Sequence, residues 1–390
     1  MASYEKFTFT LQISILKSYL GNISHSALGA RIQTSNDRND GENFSDRHEY
    51  TPFRTFSMNN NRILILLGWA LLLISSTNAI AGNLPSTTAT EEETASSASK
   101  LTKNDIKIEL SLLFDKYTLE DNYKYQKEER NFNWEQIRSL LAHIENMQED
   151  KRPWVLLQNY KNLNGEAPLV KKYARNRYRR VADTLGVERY QSVPLYAPND
   201  TVTPIIYGRD GTIAHLDGET KKFYRIVSHT DSKEWYVPKR YVKRLDDNTR
   251  FNHVVVIDRK DQNITTLERA ERGKWLIRSK NPATTGRNKP PYAQPTPLGI
   301  FLLQQQKRKM VYLKDGSTAR GGFAPYASRF TCGAYIHGVP VNAPRTSEIE
   351  YSWSLGTTPR SHMCVRNATS HSKFIYEWAP LRATLVVVVE

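Results

Sequence analysis

The chain closes on Leu385-Val-Val-Val-Val389, five apolar residues in a row, four of them β-branched. A run of this kind has no polar face to offer water, so it must be a strand buried on both faces or nearly so. A related run, Val254-Val-Val-Ile-Asp258, opens the same segment. The region 253–390 therefore reads as strand-rich. Both cysteines of the sequence, Cys332 and Cys364, lie inside it.

Upstream, the patterning changes twice. Residues 1–57 are polar and show no sustained period. They are followed by Met58-Asn-Asn-Asn-Arg62, an apolar run from Ile63 to Ile74, and Ser75-Ser-Thr-Asn-Ala-Ile-Ala81. A basic start, a short apolar core and an Ala79-x-Ala81 ending describe a secretory signal peptide over 58–81. The core is shorter than the ~20 residues that span a bilayer. Translation is then expected to start at Met58, with 1–57 an unstructured extension or over-extended gene start, and the mature chain lies in the periplasm or cell envelope. Residues 82–104, rich in Ser, Thr and Ala, read as a linker.

Residues 105–186 read as helical. Ile106, Leu110, Leu113, Phe114 and Tyr117 recur at helical spacing. Asn133 with Gln136 three residues on is a capping signal ahead of Ile137, Leu140, Leu141 and Ile144. A third helix is expected over Leu169–Leu185, carrying Lys171, Lys172, Arg175, Arg177, Arg179 and Arg180. From Val187 short β-rich stretches are punctuated by Asn199-Asp200, Asp210-Gly211 and Asp217-Gly218. That pattern predicts a small barrel over 187–246. The fold class expected is thus multidomain: a helical N-terminal region, a small β-barrel, then a mostly-β domain with one short helix.

The 390 residues hold 55 Lys+Arg against 40 Asp+Glu, a formal net charge of +15, with 39% hydrophobic and 24% charged residues. Those proportions exclude a polytopic membrane protein and a wholly disordered chain. The basic excess favours an anionic partner. No zinc-finger spacing or RNP-like aromatic run accompanies it, so nucleic acid is not the expected one. The basic helix reads first as a solvated face, with docking onto an anionic envelope polymer as the alternative. Nothing in the sequence sets an oligomeric state.

Chemistry concentrates near the C-terminus, in Thr296-Pro-Leu-Gly-Ile-Phe301, Tyr335-Ile-His-Gly338 and Ser361-His-Met-Cys-Val-Arg366. A cysteine nucleophile needs a base and donors for the tetrahedral oxyanion. Cys364 precedes a helix predicted over Thr369–Trp378, with Phe374, Ile375 and Trp378 on its apolar face and Thr369 or Ser370 as its cap. Unpaired N–H groups at that helix start would lower the thiol pKa. His337 and His362 are both candidate bases. Strand alternation over Cys332–Gly338 would place His337 on one face and Cys332, with Ala334 and Ile336, in the core. A Cys332–Cys364 disulfide, and zinc held by His337, His362, Cys364 and His371, are the competing readings. The zinc spacing matches no common structural site.

These motifs resemble the YkuD-type L,D-transpeptidase family of cell-wall enzymes, whose signature is a His-Gly pair followed by Ser-His-Gly-Cys-(Val/Ile)-(Arg/Asn). Met363 stands where the family has Gly. The stretch around Val193-Pro-Leu-Tyr196, Asp210-Gly211 and Trp235–Tyr241 resembles a bacterial SH3-like module. The family resemblance implies catalysis without metal or cofactor on peptidoglycan stem peptides. Cys364 would attack the bond after the L-centre of diaminopimelate and release D-Ala, and the amine of a second stem would resolve the acyl-enzyme as a 3→3 cross-link. It implies His337 as base, the carbonyl of Gly338 as its orienting group, Arg366 as a substrate-carboxylate contact, and Ser361, His362 and Tyr335 around the substrate. An L,D-carboxypeptidase or endopeptidase, or a catalytically dead wall-binding protein, are the alternatives.

Overall fold

The computed structural model describes residues 99–390. The extension, the signal peptide and the linker up to residue 98 lie outside the described residues. In chain order the described part begins with β1 (Lys107–Leu110), β2 (Asn122–Tyr125), β3 (Glu128–Asn131), α1 (Trp134–Gln148) and β4 (Trp154–Leu157). Next come β5 (Ala174–Arg175), β6 (Val181–Ala182), β7 (Ser192–Leu195), β8 (Ile206–Arg209), β9 (Ile213–Glu219), β10 (Phe223–Ser228), β11 (Glu234–Pro238) and β12 (Val242–Arg244). The C-terminal part holds β13 (His253–Asp258), β14 (Asn263–Glu271), β15 (Lys274–Pro282), β16 (Gly299–Leu302), β17 (Gln305–Leu313) and β18 (Arg320–Thr331). It ends with β19 (Ala334–His337), β20 (Val341–Asn342), β21 (Val365–Arg366), α2 (Thr369–Trp378) and β22 (Thr384–Val389).

The closing apolar run is β22, buried at every residue. It runs parallel to β13 and antiparallel to β16 in a six-stranded sheet of order β1-β15-β14-β13-β22-β16. Alternation divides its side chains between two cores. Leu385, Val387 and Val389 join Val254, Val256 and Trp275 under the apolar face of α1, where Ile137, Leu140, Leu141 and Ile144 lie. Val386 and Val388 join Val255 and Ile257 against a second sheet and α2, through Phe330, Ala334, Ile336, Val365 and Ile375. Each such side chain contributes roughly 1.5–3 kcal/mol by burial, so the strand anchors both layers. The second sheet has the order β17-β18-β19-β21, with β20 added on β18.

Helix α1 forms as the sequence predicts. Asn133 is its N-cap, and its side-chain oxygen accepts the Gln136 N–H at 3.2 Å. The other two helices expected in 105–186 are absent. Residues 107–110 form β1, a parallel edge strand on β15, and the chain continues along that edge with the N–H groups of Ser111, Leu113 and Leu119 donating to Ile277, Arg278 and Lys280 carbonyls. An open sheet edge offers a full row of bonds that an isolated helix there does not match. Leu169–Leu185 folds as turns and the β5–β6 hairpin. Six cations over this stretch meet only Asp183, so a helix would stack like charges one turn apart. Asp183 and Asn176 instead accept backbone N–H groups of Leu185, Val187, Tyr178 and Arg180, fixing turns.

Beyond Val187 a five-stranded sheet of order β11-β10-β9-β4-β12 forms, with the β7–β8 hairpin bridged to it at Tyr196 and Tyr236. Its strand β4 comes from before residue 187. The Asp210-Gly211 turn between β8 and β9 reaches into the C-terminal domain. Gly211 has φ +89°, and a Cβ there would lie 2.2 Å from the Phe330 carbonyl oxygen. Leu302 N–H donates to the Gly211 carbonyl at 2.9 Å. Asp210 is fully buried, with its carboxylate 2.7 Å from Arg329 and accepting the backbone N–H groups of Asn159 and Cys332.

Candidate active site

Two parallel strands bring the motifs together: β19 and β21 pair Ile336 with Val365 and His337 with Arg366. Ala334, Ile336 and Val365 enter the core, so alternation leaves Tyr335, His337 and Arg366 on the other face, with Cys364 immediately before β21. The Cys364 thiol donates to the Gly333 carbonyl at 3.6 Å. His337 is buried, and its Nδ1–H donates to the Gly338 carbonyl at 2.6 Å. Since a carbonyl only accepts, this bond fixes the neutral tautomer and leaves Nε2 as a proton acceptor.

Both groups rest uncharged. Burial pushes the Cys364 thiol above its ordinary value, against the smaller opposing effects of the Tyr335 backbone N–H and the Arg366 cation. Burial lowers His337 to about 4; the bond to Gly338 opposes this and Arg366 adds to it. The thiol is therefore not lowered by the start of α2, as its position before that helix suggests. The donor facing it belongs to Tyr335, on the neighbouring strand. The cap of α2 differs too. Ala368 is the N-cap, Thr369 Oγ1 donates to the Ile349 carbonyl, and the Glu350 carboxylate accepts the Ser370 N–H and hydroxyl.

The loop carrying Cys364 is clamped from within. Ser361, almost wholly buried, donates its hydroxyl to the Cys364 carbonyl. Thr296 Oγ1, from the upstream Thr-Pro-Leu-Gly-Ile-Phe element, donates to the Met363 carbonyl and accepts from Gly286 N–H, both at 2.8 Å. The Gln294 N–H holds the His362 carbonyl at 2.8 Å. Ser361 thus braces the loop that carries Cys364. The Met363 side chain packs on the core and over Gly333, its Cε 3.7 Å from where a Cβ would stand there.

His362 is separated from this pair. Its Nε2 lies 3.0 Å from Asp315, in the tip of the β17–β18 hairpin, and both side chains are 47% exposed. It ties the hairpin tip to the loop that carries Cys364. Tyr335 is buried, its hydroxyl 3.3 Å from that of Tyr160 and 3.4 Å from Gln305 Oε1; burial and the Tyr160 hydroxyl raise its pKa. It bridges toward the upstream module, with its hydroxyl already engaged.

Cys332 and Cys364 are both free thiols. Cys332 does not face the core. The strand begins at Ala334, and Cys332 sits in the β18–β19 turn at φ 41°, its sulfur 3.7 Å from the Gln191 carbonyl. A tight two-residue turn overrides the alternation expected of a longer strand. No group of three or more metal-binding side chains occurs among the described residues.

Beside the loop lies an open cleft of about 650 Å³, lined by Arg177 and Arg180 of the β5–β6 hairpin, Arg209, Glu188, Cys332 and Met363 among others. The basic residues expected on a helix are thus partly on its wall. Sequence reasoning missed Tyr160, Asp210, Arg287, Asp315, Arg329 and Arg360. Of these, Asp210 and Asp315 carry a local signal, each as the first half of an Asp-Gly pair.

A family model described as the YkuD L,D-transpeptidase catalytic domain matches residues 252–388. No curated protein matches the chain. Among solved structures, an L,D-transpeptidase from Mycobacterium tuberculosis H37Rv is 23% identical, over 40% of this chain and 72% of its own, with a TM-score of 0.28. L,D-transpeptidase 3 from Mycobacterium tuberculosis, in complex with a faropenem-derived adduct, is 20% identical over 45% of this chain and 79% of its own, at 0.29. An L,D-transpeptidase from Mycobacterium smegmatis is 17% identical over 41% and 74%, at 0.28. By the family match and the motifs that meet on β19 and β21, residues 252–388 are a YkuD-type L,D-transpeptidase catalytic domain.

Proposed function

We propose that this chain is an exported cysteine acyltransferase that cross-links peptidoglycan stem peptides. Cys364 attacks the carbonyl of the diaminopimelate L-centre in a donor tetrapeptide. His337 Nε2 takes the thiol proton and returns it to the leaving D-Ala amine. The side-chain amine of a second stem then resolves the thioester, giving a 3→3 cross-link. The observation that carries this reading is the registered pair β19–β21, with Cys364 at its edge and a His337 whose tautomer is held by the Gly338 carbonyl.

The neutral resting pair explains why a free thiol there would be quiet without substrate. Arg366 depresses the imidazolium. A substrate carboxylate beside Arg366 offsets that cation and makes His337 a stronger base once substrate is bound. The Tyr335 N–H, which faces the thiol, is a backbone donor available to the developing oxyanion. The cleft walled by Arg177 and Arg180 is the proposed seat of an anionic envelope polymer.

Incubation with a synthetic stem tetrapeptide, followed by intact-mass measurement, tests the reading. The expected result is an adduct on Cys364 lacking D-Ala, absent in Cys364→Ala, and a cross-linked dimer when an acceptor stem is added. A folded protein that forms no adduct refutes it; an adduct resolved only by water assigns hydrolysis instead.

A further inference from the structure

Residues 284–287 run alongside the nucleophile segment. Thr284 and Arg366 exchange both backbone hydrogen bonds at 2.9 Å, and Arg287 and Arg360 donate their N–H groups to the Ser361 and Thr285 carbonyls at 3.0 and 2.9 Å. Three arginines, Arg287, Arg360 and Arg366, are thereby gathered on one short stretch of paired backbone. Gly286, Asn288, Pro359 and Met363, their chain neighbours, line the basic cleft instead.

The three arginines are half-buried, and the Nε atom of each is buried without a hydrogen-bond partner. Arg360 stacks on the Trp353 ring, 4.8 Å from its centroid, and neither Arg287 nor Arg366 has an acidic partner among the described residues. Burial is the main cause that lowers the pKa of Arg366; Cys364 and Tyr312 oppose it, and the nearby Arg287 and Arg360 charges add to it. Three like charges held together at a site, with donors unused, are stable only while water or an anion attends them. A single substrate carboxylate would leave two of them unanswered.

We propose that Arg287 and Arg360 join Arg366 in a carboxylate-binding cluster beside Cys364, which selects donor peptides carrying a free carboxylate in addition to the C-terminal one. The assignment rests on the transpeptidase reading for its substrate, a stem peptide, and adds the demand that the diaminopimelate side-chain carboxylate be free rather than amidated. Planar guanidinium forks suit paired carboxylates, so each arginine can serve in two-bond recognition.

Two measurements separate the cluster from the reaction. The first compares the alkylation rates of Cys364 by iodoacetate and by neutral iodoacetamide, read by peptide mass mapping with Cys332 as internal reference. The Arg287→Gln/Arg360→Gln variant should lower the iodoacetate-to-iodoacetamide ratio by about threefold to tenfold, the size expected for two screened unit charges, and the Lys variant at both positions should retain it. A ratio unchanged in the Gln variant, with iodoacetamide still reacting as in the wild type, overturns the cluster. If the Gln variant does not fold, a Lys variant that loses the ratio overturns it as well. The second compares donor stems with free and amidated side-chain carboxylates. The wild type should acylate faster with the free acid, and the Gln variant should lose that preference. Equal rates on both stems in the wild type overturn the selectivity. No acylation by either stem, with the alkylation ratio intact, refutes the transpeptidase reading and leaves the anion site standing.

Discussion

Asp210→Asn should unlock the upstream module from the catalytic domain. The wild-type carboxylate lies 2.7 Å from Arg329 Nη1, with both side chains almost wholly buried. It also accepts from Asn159 N at 2.8 Å and from Cys332 N at 3.2 Å. An amide keeps the shape but removes the charge and turns one acceptor into a donor aimed at donors. Breaking a buried pair from one side costs about 3–5 kcal/mol. Arg329 would retain Gln304 Oε1 at 3.2 Å and the Tyr160 ring, 4.2 Å from its guanidinium carbon. The lower end, about 3 kcal/mol, is therefore expected. At roughly 2–4 °C per kcal/mol, this lowers Tm by about 6–12 °C. The same change loosens the β18–β19 turn that leads to His337, so acylation of Cys364 should slow as well. Denaturant melts and thermal scans are taken on Asp210→Asn, Asp210→Leu, Arg329→Met and Asp210→Leu/Arg329→Met, the last three closing a cycle with the wild type. The double variant should be more stable than Asp210→Asn, because replacing both charges removes the orphaned cation. A loss below about 1 kcal/mol in the single Asp210→Asn variant, or a double variant no better than it, refutes the view that the Asp210–Arg329 pair locks the module to the domain.

Stability should fall on mild acidification: His337 titrates at about 4 and His371 at about 3, both lowered by burial, against about 6.5 in the unfolded chain. The unfolded state binds the proton first, so these contributions are complete above about pH 6.5 and are lost toward pH 4, by up to about 1.4 kcal/mol per pH unit for each histidine; melts at pH 7, 6 and 5 that coincide refute this, and His371→Leu should reduce the slope. Asp315→Asn, which breaks an exposed pair with His362, should change stability by less than about 1 kcal/mol while speeding iodoacetamide entry to Cys364; an unchanged alkylation rate shows that the hairpin tip does not restrict access. Met363→Gly should cost about 2 kcal/mol in packing over Gly333 and on the core and alter acylation kinetics on stem peptides; unchanged kinetics make the departure from the family pattern neutral.

What was legible in the sequence was what neighbouring residues decide. Asn133 and Gln136 announced α1, the Leu385–Val389 run announced a doubly buried strand, and Thr369–Trp378 was read as a helix at the bounds observed. The meeting of the His337 and Cys364 motifs was legible through the family pattern, not through spacing. What escaped was decided by distant partners. Ile106 to Tyr117 has helical periodicity, yet the edge of β15 claims it. Thr369 and Ser370 look like caps, but Glu350 takes the role from another loop. Cys332 follows strand parity only on paper, because the reversal falls at that residue. Arg287 is remote in sequence from Arg360 and Arg366, and only the pairing of their backbones makes the three one feature.

The family match opens at residue 252, but the physical unit does not. The outer face of the catalytic sheet, with Val254, Val256, Leu267, Trp275, Leu385 and Val387, is roofed by Ile137, Leu140, Leu141 and Ile144 and flanked by Trp154 and Ile213, while its far edge is closed by β1. A fragment cut at the homology boundary would be a house with its roof lifted off: a bare apolar sheet face and an unpaired edge strand, both invitations to self-association. Any recombinant design of this domain should therefore take its start from about residue 99, treating helix and module as part of one packed body rather than as cargo in front of it.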